Sequence, residues 1–470
     1  MRPAADYVSN FIFFSIKLGG AEIPLIVVWL VAGGIFFTLY LGFINLTGFA
    51  EGVRLLTGRR EVRSTAGGEI SAFQALCTAV SGTVGIGNIA GVAIAISLGG
   101  PGATFWLILA GFLGMSTKFA ECTLGVYYRR QNLDGSISGG PMYYLELGLR
   151  ELNMVRLGKA LGVFYAIAMV IGCLGIGNMF QANQAAAIVI TVTGGVDSIF
   201  SGNAWIIGLA MAAVVALVIV GGIQSIARVT SKLVPFMALL YVISAILVIA
   251  INSDKLLWAF IAIGQGAFSP EGVTGGIIGV IIIGFRRAVF SNEAGLGSAS
   301  IAHSAVKTDY PATEGYVALL EPFIDTIVIC TLTALVIITT IYDPALSGSG
   351  ISGIEMTTRA FEQTASWAPL PLSLAAVLFA FSTMISWSYY GLKAFTYLAD
   401  DGRVGQIAFK LVFCAFIVLG SSIQLQALID LSDALVFVVA IPNLFGLYLL
   451  APAIKREIIR YRGFLDSGKP

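Results

Sequence analysis

The sequence predicts an all-α polytopic membrane protein of eleven transmembrane helices, built as a five-plus-five inverted repeat behind one extra helix. Three observations carry that reading. Eleven apolar runs are long enough to cross a bilayer. Only 11% of the 470 residues are charged, while 57% are hydrophobic. Two of the runs are interrupted by glycine and polar residues at corresponding positions.

A membrane helix needs about 20 mostly apolar residues. The runs fall near 22–47, 70–98, 103–127, 160–193, 203–222, 232–252, 273–302, 315–341, 370–398, 405–424 and 428–454. The run at 160–193 is longer than one span needs, which predicts tilt or an extension beyond the bilayer. Soluble chains carry roughly a quarter charged residues, and a soluble chain this apolar would lack the polar atoms to cover its surface. The net charge of +1 offers nothing to a nucleic acid. Cys77, Cys122, Cys173, Cys330 and Cys414 sit singly in apolar runs, without metal or redox spacing, and read as packing residues. The single histidine, His303, excludes a histidine-rich metal site. The first 20 residues lack the features of a cleavable signal peptide.

Lys and Arg set the orientation. With the N-terminus outside, Arg54, Arg59, Arg60 and Arg63 fall inside. So do Arg129, Arg130, Arg150, Arg156 and Lys159, and in the tail Lys455, Arg456, Arg460, Arg462 and Lys469. Only Arg2, Lys17, Lys255 and Arg359 fall outside. The C-terminus is then cytoplasmic.

The second run contains Gly82, Gly85, Gly87, Asn88 and Gly91, and the seventh contains Gly284, Arg286, Arg287, Asn292, Glu293, Gly295 and Gly297. Glycine in a helix interior costs about 1 kcal/mol relative to alanine. Irregular backbone survives at membrane depth only when buried in protein or facing a water-filled cavity. With the first helix (1–48) set aside as an accessory, the broken segments become the first and sixth of ten. Matching breaks in two halves point to an inverted repeat, here 70–252 and 273–455, followed by a tail at 456–470. Gly85-Ile86-Gly87-Asn88 and Gly295-Leu296-Gly297-Ser298 echo one another within them.

Four stretches carry a more specific signal. Ser81–Glu121 reads SGTVGIGNIAGVAIAISLGGPGATFWLILAGFLGMSTKFAE, and Phe290–Val306 reads FSNEAGLGSASIAHSAV. GGPMYY stands at Gly139–Tyr144 and STMISWSYYG at Ser382–Gly391. Together they make the chain resemble, over essentially its whole length, the alanine/glycine:cation symporter family, also called sodium:alanine symporters. One departure is Phe105-Trp106-Leu107-Ile108, where the family usually has Phe-Trp-Met-Trp. The resemblance implies a LeuT-like fold in a prokaryotic plasma membrane. It also implies uptake of alanine, glycine or a similar small neutral amino acid, driven by sodium or protons.

The residues fit that chemistry. A broken helix exposes N–H groups that attract a carboxylate, and Gly85 and Gly87 let a ligand approach the backbone. Freed carbonyls can face a cation, and hard cations take oxygen ligands. The carbonyls of Ser81 and Val84, with the hydroxyls of Ser382, Thr383 and Ser386, can form one sodium site. The resemblance implies such a site between the first and eighth helices of the fold. The three hydroxyls can equally bond to their own helix. Thr83 and Asn88 can serve substrate or a second ion, and Thr383 also stands beside the substrate. The fourth run carries Asn178, Gln181, Asn183 and Gln184. Gln181 and Asn183 are read as substrate contacts, with Phe180 shaping the apolar side; interhelical hydrogen bonding is the alternative. Phe290, Asn292 and Trp387 complete the candidates, Trp387 as a cap that limits substrate size or as ordinary packing.

Intramembrane ions are functional candidates by default. Glu293 is expected to pair with Arg286 or Arg287, to brace the break, or to carry a proton. Glu121 is expected to pair with Lys118, three residues away, or to carry a proton. Glu321 and Asp325 are expected to be buried. Gly91, Gly111 and Gly114 read as close-packing positions. No nucleophile–base pair and no GxxxxGK[ST] motif exists. That excludes covalent catalysis and nucleotide-driven transport, leaving an ion gradient as the energy source. A channel lined by the broken helices is the alternative from another class.

Overall fold

The computed structural model describes residues 12–18, 21–60, 67–268, 276–342, 353–399 and 402–467. Arg2, Arg63 and Lys469 of the predicted charge pattern lie outside them. Among the described residues, two short antiparallel hairpins, β1 (Ser15–Leu18) with β2 (Ala21–Pro24) and β3 (Arg130–Gln131) with β4 (Ile137–Ser138), and one Ile70–Val306 bridge accompany an otherwise helical fold.

The helices run in order as α1 (Leu25–Tyr40), α2 (Phe49–Leu56), α3 (Ala72–Thr83), α4 (Ala90–Gly99), α5 (Gly102–Tyr127) and α6 (Pro141–Glu151). They continue as α7 (Val155–Val192), α8 (Ala204–Ile219), α9 (Gly222–Ile251), α10 (Leu256–Phe268), α11 (Gly276–Asn292) and α12 (Ser298–His303). The last are α13 (Pro311–Thr340), α14 (Ile354–Thr364), α15 (Pro369–Leu398), α16 (Arg403–Ser421) and α17 (Leu425–Asp466). Among the described residues, seven helices are long and apolar enough to cross a membrane, or up to nine if two bent pairs each count as one span. The predicted runs at 203–222 and 273–302 correspond to α8 and to the α11–α12 pair.

Some boundaries differ from expectation. The first run stops at Tyr40, because Gly42 and Phe43 take positive φ and turn the chain by 62° into the segment ending in α2. The 160–193 run is one helix of 38 residues with a π-helical turn at Gly175–Met179. A second π-helical stretch, Phe323–Cys330, lies within α13. α10 and α14 occupy segments read as connections.

α3 starts on a reciprocal cap. The Ser71 hydroxyl accepts from the Gln74 N–H at 3.2 Å, and the Gln74 side chain accepts from the Ser71 N–H at 3.0 Å. The helix ends at Val84, where ψ turns to 83°, and the chain bends by 59° into α4. The second break separates α11 from α12. There Glu293, Gly295 and Gly297 have φ of 57°, 94° and 77°. Glycine suits the last two positions, whereas Glu293 bears a left-handed strain of roughly 1–2 kcal/mol.

Small residues bring the layers together. α5 packs against α1, α11 and α13, while α15 packs against α3, α7 and α9. A Cβ on Gly111 would lie 2.6 Å from the Thr326 methyl, and one on Gly114 would lie 2.8 Å from Ala294 Cβ. Gly91 has nothing within 4 Å of its Cβ position, so the packing role expected of it does not hold.

The ion pairs correct the expected partners. Lys118 faces Glu321 at 3.3 Å rather than Glu121. Arg286 and Arg287 both take Asp433 on α17, Arg286 at 2.6 Å, rather than Glu293. Glu121 is committed to the second break instead. Its carboxylate accepts the N–H groups of Gly295 at 2.9 Å and Gly297 at 3.0 Å, and the Asn443 amide at 2.8 Å. The same amide donates to the Gly295 carbonyl at 2.7 Å, and its oxygen accepts from the Tyr144 hydroxyl.

Glu121→Ala would leave the two backbone amides of Gly295 and Gly297 without their acceptor, at ~1–3 kcal/mol each, so a loss of ~2–6 kcal/mol is expected, while Asn443 keeps the Gly295 carbonyl. Thermal unfolding in detergent checks it, with Glu121→Gln, which keeps an acceptor oxygen, melting between Glu121→Ala and the parent. A Glu121→Ala protein that melts with the parent would remove Glu121 from the support of the break.

Candidate functional site

All of the predicted site residues are buried. They divide into a hydroxyl network between α3 and α15, a group around the first break, and a few side chains committed elsewhere.

The network joins helices 300 residues apart in sequence. The Ser81 hydroxyl donates to the Ser382 carbonyl at 2.6 Å and lies 2.9 Å from the Ser386 hydroxyl. Thr383 donates to the Ser81 carbonyl at 3.0 Å, and Ser386 donates to the Thr78 carbonyl at 2.9 Å. Ser382 bonds chiefly within its own helix, to Phe379 at 2.9 Å. Back-bonding therefore describes Ser382, while Thr383 and Ser386 reach across to backbone oxygens of α3. Val84 closes α3 beside them. The donor set is hydroxyl and carbonyl oxygen throughout, which matches a hard cation.

Around the first break, the amides freed by unwinding find side chains. Gly85 N–H bonds to Asn88 Oδ1 at 3.0 Å, and Ile86 N–H bonds to Gln181 Oε1 at 3.0 Å. Gln181 also donates to the Ile176 carbonyl at 3.1 Å, which anchors it to the π-helical turn of α7. A Cβ at Gly85 would lie 2.6 Å from Thr383 Oγ1 and 3.0 Å from Gln181 Oε1, so only glycine lets the break sit between α7 and α15. Gly87 faces Phe290 of α11, its Cβ position 3.3 Å from the ring. Phe290 meets Phe180 edge to face at 5.1 Å, and Arg287 lies over the Phe290 ring at 5.1 Å.

Asn88 reaches the other way, donating to the Asp325 carboxylate and, at 3.2 Å, to the Asp325 carbonyl. Asp325 also accepts from Ser291 at 2.9 Å and Thr326 at 2.7 Å. Asn292 braces the second break, accepting from Ala294 N–H at 3.0 Å and donating to Thr326 at 3.0 Å. Asp325 joins both broken helices, a role its sequence position alone did not assign. The available signal was a carboxylate inside an apolar run.

Thr83, Asn183 and Asn178 bond apart from the breaks, whereas Trp387 reaches the second one. The Thr83 hydroxyl bonds to Ala79 and Val80 of its own helix, at 3.3 Å each. Asn183 donates to Gly420 at 3.2 Å and Ile423 at 2.6 Å, closing the end of α16, so interhelical bonding is what its amide does. Asn178 does the same to Phe413 at 2.7 Å. Trp387 packs its ring on Gly177, where a Cβ would lie 2.0 Å away, and points its N–H at Gly82 and Glu293. Trp387 thus forms a wedge between α3, α7 and the second break.

Comparison with known proteins supplies the remaining context. The sequence profile of the sodium:alanine symporter family matches residues 12–470. The chain is 40% identical to the sodium/alanine symporter AgcS of Methanococcus maripaludis, over 92% of this chain and 93% of that one. It is 33% identical to the probable sodium/glutamine symporter GlnT of Bacillus subtilis, over 95% and 89%. It is also 33% identical to the amino-acid carrier protein AlsT of the same organism, over 94% and 88%. Among solved structures it resembles that of MhsT in complex with L-phenylalanine, with a TM-score of 0.60, 17% identity and coverage of 82% and 89%. That likeness shows the LeuT-like fold. With a family profile that spans nearly every residue and relatives matched almost end to end, this multi-pass membrane protein belongs to the sodium:alanine symporter family.

Proposed function

We propose that the chain couples inward sodium movement to uptake of alanine, glycine or a similar small neutral amino acid by alternating access. The observation that carries this reading is the reach of Thr383 and Ser386 across to the α3 carbonyls, directly before the first break. Sodium would take the carbonyls of Ser81 and Val84 and the hydroxyls of Ser382, Thr383 and Ser386. Binding there would trade hydroxyl-to-carbonyl bonds for ion–oxygen contacts and tighten α15 on α3.

The amino acid would lie at the unwound stretches, between Gly87 and the Phe180–Phe290 pair. The Phe290 ring stands against Gly87, 3.3 Å from its Cβ position, so a side chain admitted there would be small, and Asn88 and Gln181 would hold the backbone that meets the substrate carboxylate. Asn88 with Asp325 offers further hard oxygens beside the same break, fitting a second ion or the substrate ammonium. Two halves at 70–252 and 273–455 would rock about this region, behind the accessory helix 1–48. The orientation that follows the Lys and Arg distribution has the N-terminus outside and the C-terminus in the cytoplasm of a plasma membrane.

Purified protein in liposomes should accumulate alanine and glycine under an inward sodium gradient and fail to do so in potassium alone. Accumulation under a proton gradient without sodium would move the coupling ion to the carboxylates Glu121 and Glu293. Mere equilibration under either gradient would restore the channel reading.

Two sets of variants refine the site. Thr383→Ala and Ser386→Ala are each expected to raise the half-saturating sodium concentration about tenfold, equivalent to ~1.4 kcal/mol. Unchanged sodium titrations in both would remove them from the ion site. Gly87→Leu, which drives a side chain against the Phe290 ring, is expected to abolish alanine binding in calorimetry while the protein stays folded. Parental affinity in that variant would move the substrate elsewhere.

A further inference from the structure

One N–H group stands between the two broken helices. The indole nitrogen of Trp387 lies 3.2 Å from the Gly82 carbonyl and 2.9 Å from Glu293 Oε1. A single hydrogen cannot point fully at both, so it is shared as a three-centre bond. Gly82 sits between Ser81 and Val84, on the stretch of α3 whose carbonyls would hold the cation. Glu293 is the first residue of the second break, held at a φ of 57°. Its other carboxylate oxygen accepts from the Ser298 hydroxyl at the start of α12, so the carboxylate spans its own break.

The geometry around the indole leaves little freedom. Trp387 is 2% exposed, and its Cγ would lie 2.0 Å from a Cβ on Gly177, so only glycine admits the ring there. A ring this confined cannot follow one acceptor without moving relative to the other. The neighbouring Lys118 is already engaged with Glu321 at 3.3 Å. Glu293 is therefore bound to the bundle through Trp387 and Ser298.

We propose that the Trp387 N–H, shared by the Gly82 carbonyl and the Glu293 carboxylate, couples cation binding at the first break to the shape of the second. This rests on the sodium-coupled reading above and names the residues that carry the coupling. A cation between α3 and α15 draws the α3 carbonyls toward itself. The indole hydrogen then moves toward Glu293, drawing the start of the second break into its substrate-binding form. Trp387 and Glu293 are positioning residues in this scheme, since neither needs to touch ion or amino acid. Coupling of this kind is reciprocal, so alanine raises sodium affinity by the factor by which sodium raises alanine affinity.

The test is alanine affinity of the full-length protein in detergent, measured by calorimetry with and without saturating sodium. The parent is expected to show a ratio within the usual range of about 5–150-fold. Trp387→Phe keeps a ring and removes the N–H, and its ratio should fall to near one while alanine still binds. Glu293→Leu removes the acceptor and should do the same, whereas Glu293→Gln keeps an acceptor oxygen and should retain most of the parental ratio. A parental ratio in either Trp387→Phe or Glu293→Leu, whichever folds, overturns the coupling role alone. A parent whose alanine affinity ignores sodium overturns the sodium-coupled reading, and the coupling with it.

Discussion

Backbone amides freed at membrane depth must be bonded by protein, and the rest of this structure depends on how that is done. Lipid offers no acceptor, so an unwound helix in the bilayer is tenable only where other groups replace its missing bonds. At the second break, Glu121 of α5 accepts the N–H groups of Gly295 and Gly297, while Asn443 of α17, itself held by the Tyr144 hydroxyl, donates to the Gly295 carbonyl. At the first, Asn88 and Gln181 accept the freed amides, from the break itself and from α7. The breaks are thereby tied to the helices around them. Their geometry is set by α5, α7 and α17, which surround them.

The same logic organises the buried ions. Carrying a charge into the bilayer costs several kcal/mol unless it is paired or hydrogen-bonded. Lys118 meets Glu321, and both nitrogens of His303 meet carboxylates, Glu314 and Glu321, at 2.7 Å. Arg286 and Arg287 converge on Asp433. Asp325 is held by neutral donors from Asn88, Ser291 and Thr326. Glu121 and Glu293 are likewise held by neutral donors, but Asp325 bonds to both broken helices, through Asn88 and Ser291.

Close packing supplies the third element. Gly85, Gly111, Gly114 and Gly177 each admit a neighbour that a methyl group would displace. In lipid, helices gain little from hydrophobic burial against one another, so contacts through small residues and interhelical hydrogen bonds carry their association. The α3–α15 contact uses both. Ser81, Thr383 and Ser386 bond across it, and the glycine at 85 lets Thr383 approach. A hydroxyl-lined seam next to an irregular backbone can exchange its internal bonds for ion contacts with little rearrangement.

The sequence by itself determined the fold class, the approximate spans, both breaks and the family. Those features are local: span length, apolarity and glycine content act within about twenty residues. The motifs around Ser81–Glu121 and Phe290–Val306 sit on the breaks for the same reason, because an interrupted helix needs particular residues at the interruption. Only the tertiary structure decided the partners. Lys118 and Glu121 share a helix face, yet the nearest anion to Lys118 is Glu321, two hundred residues away, and Glu121 serves the second break. Asn183 and Gln181 lie two residues apart on one helix, but only Gln181 turns toward the first break. Helical periodicity tells which face a side chain occupies. Which neighbour meets that face follows from how distant helices pack, and a buried polar group bonds to whatever donor or acceptor that packing brings within about 3 Å.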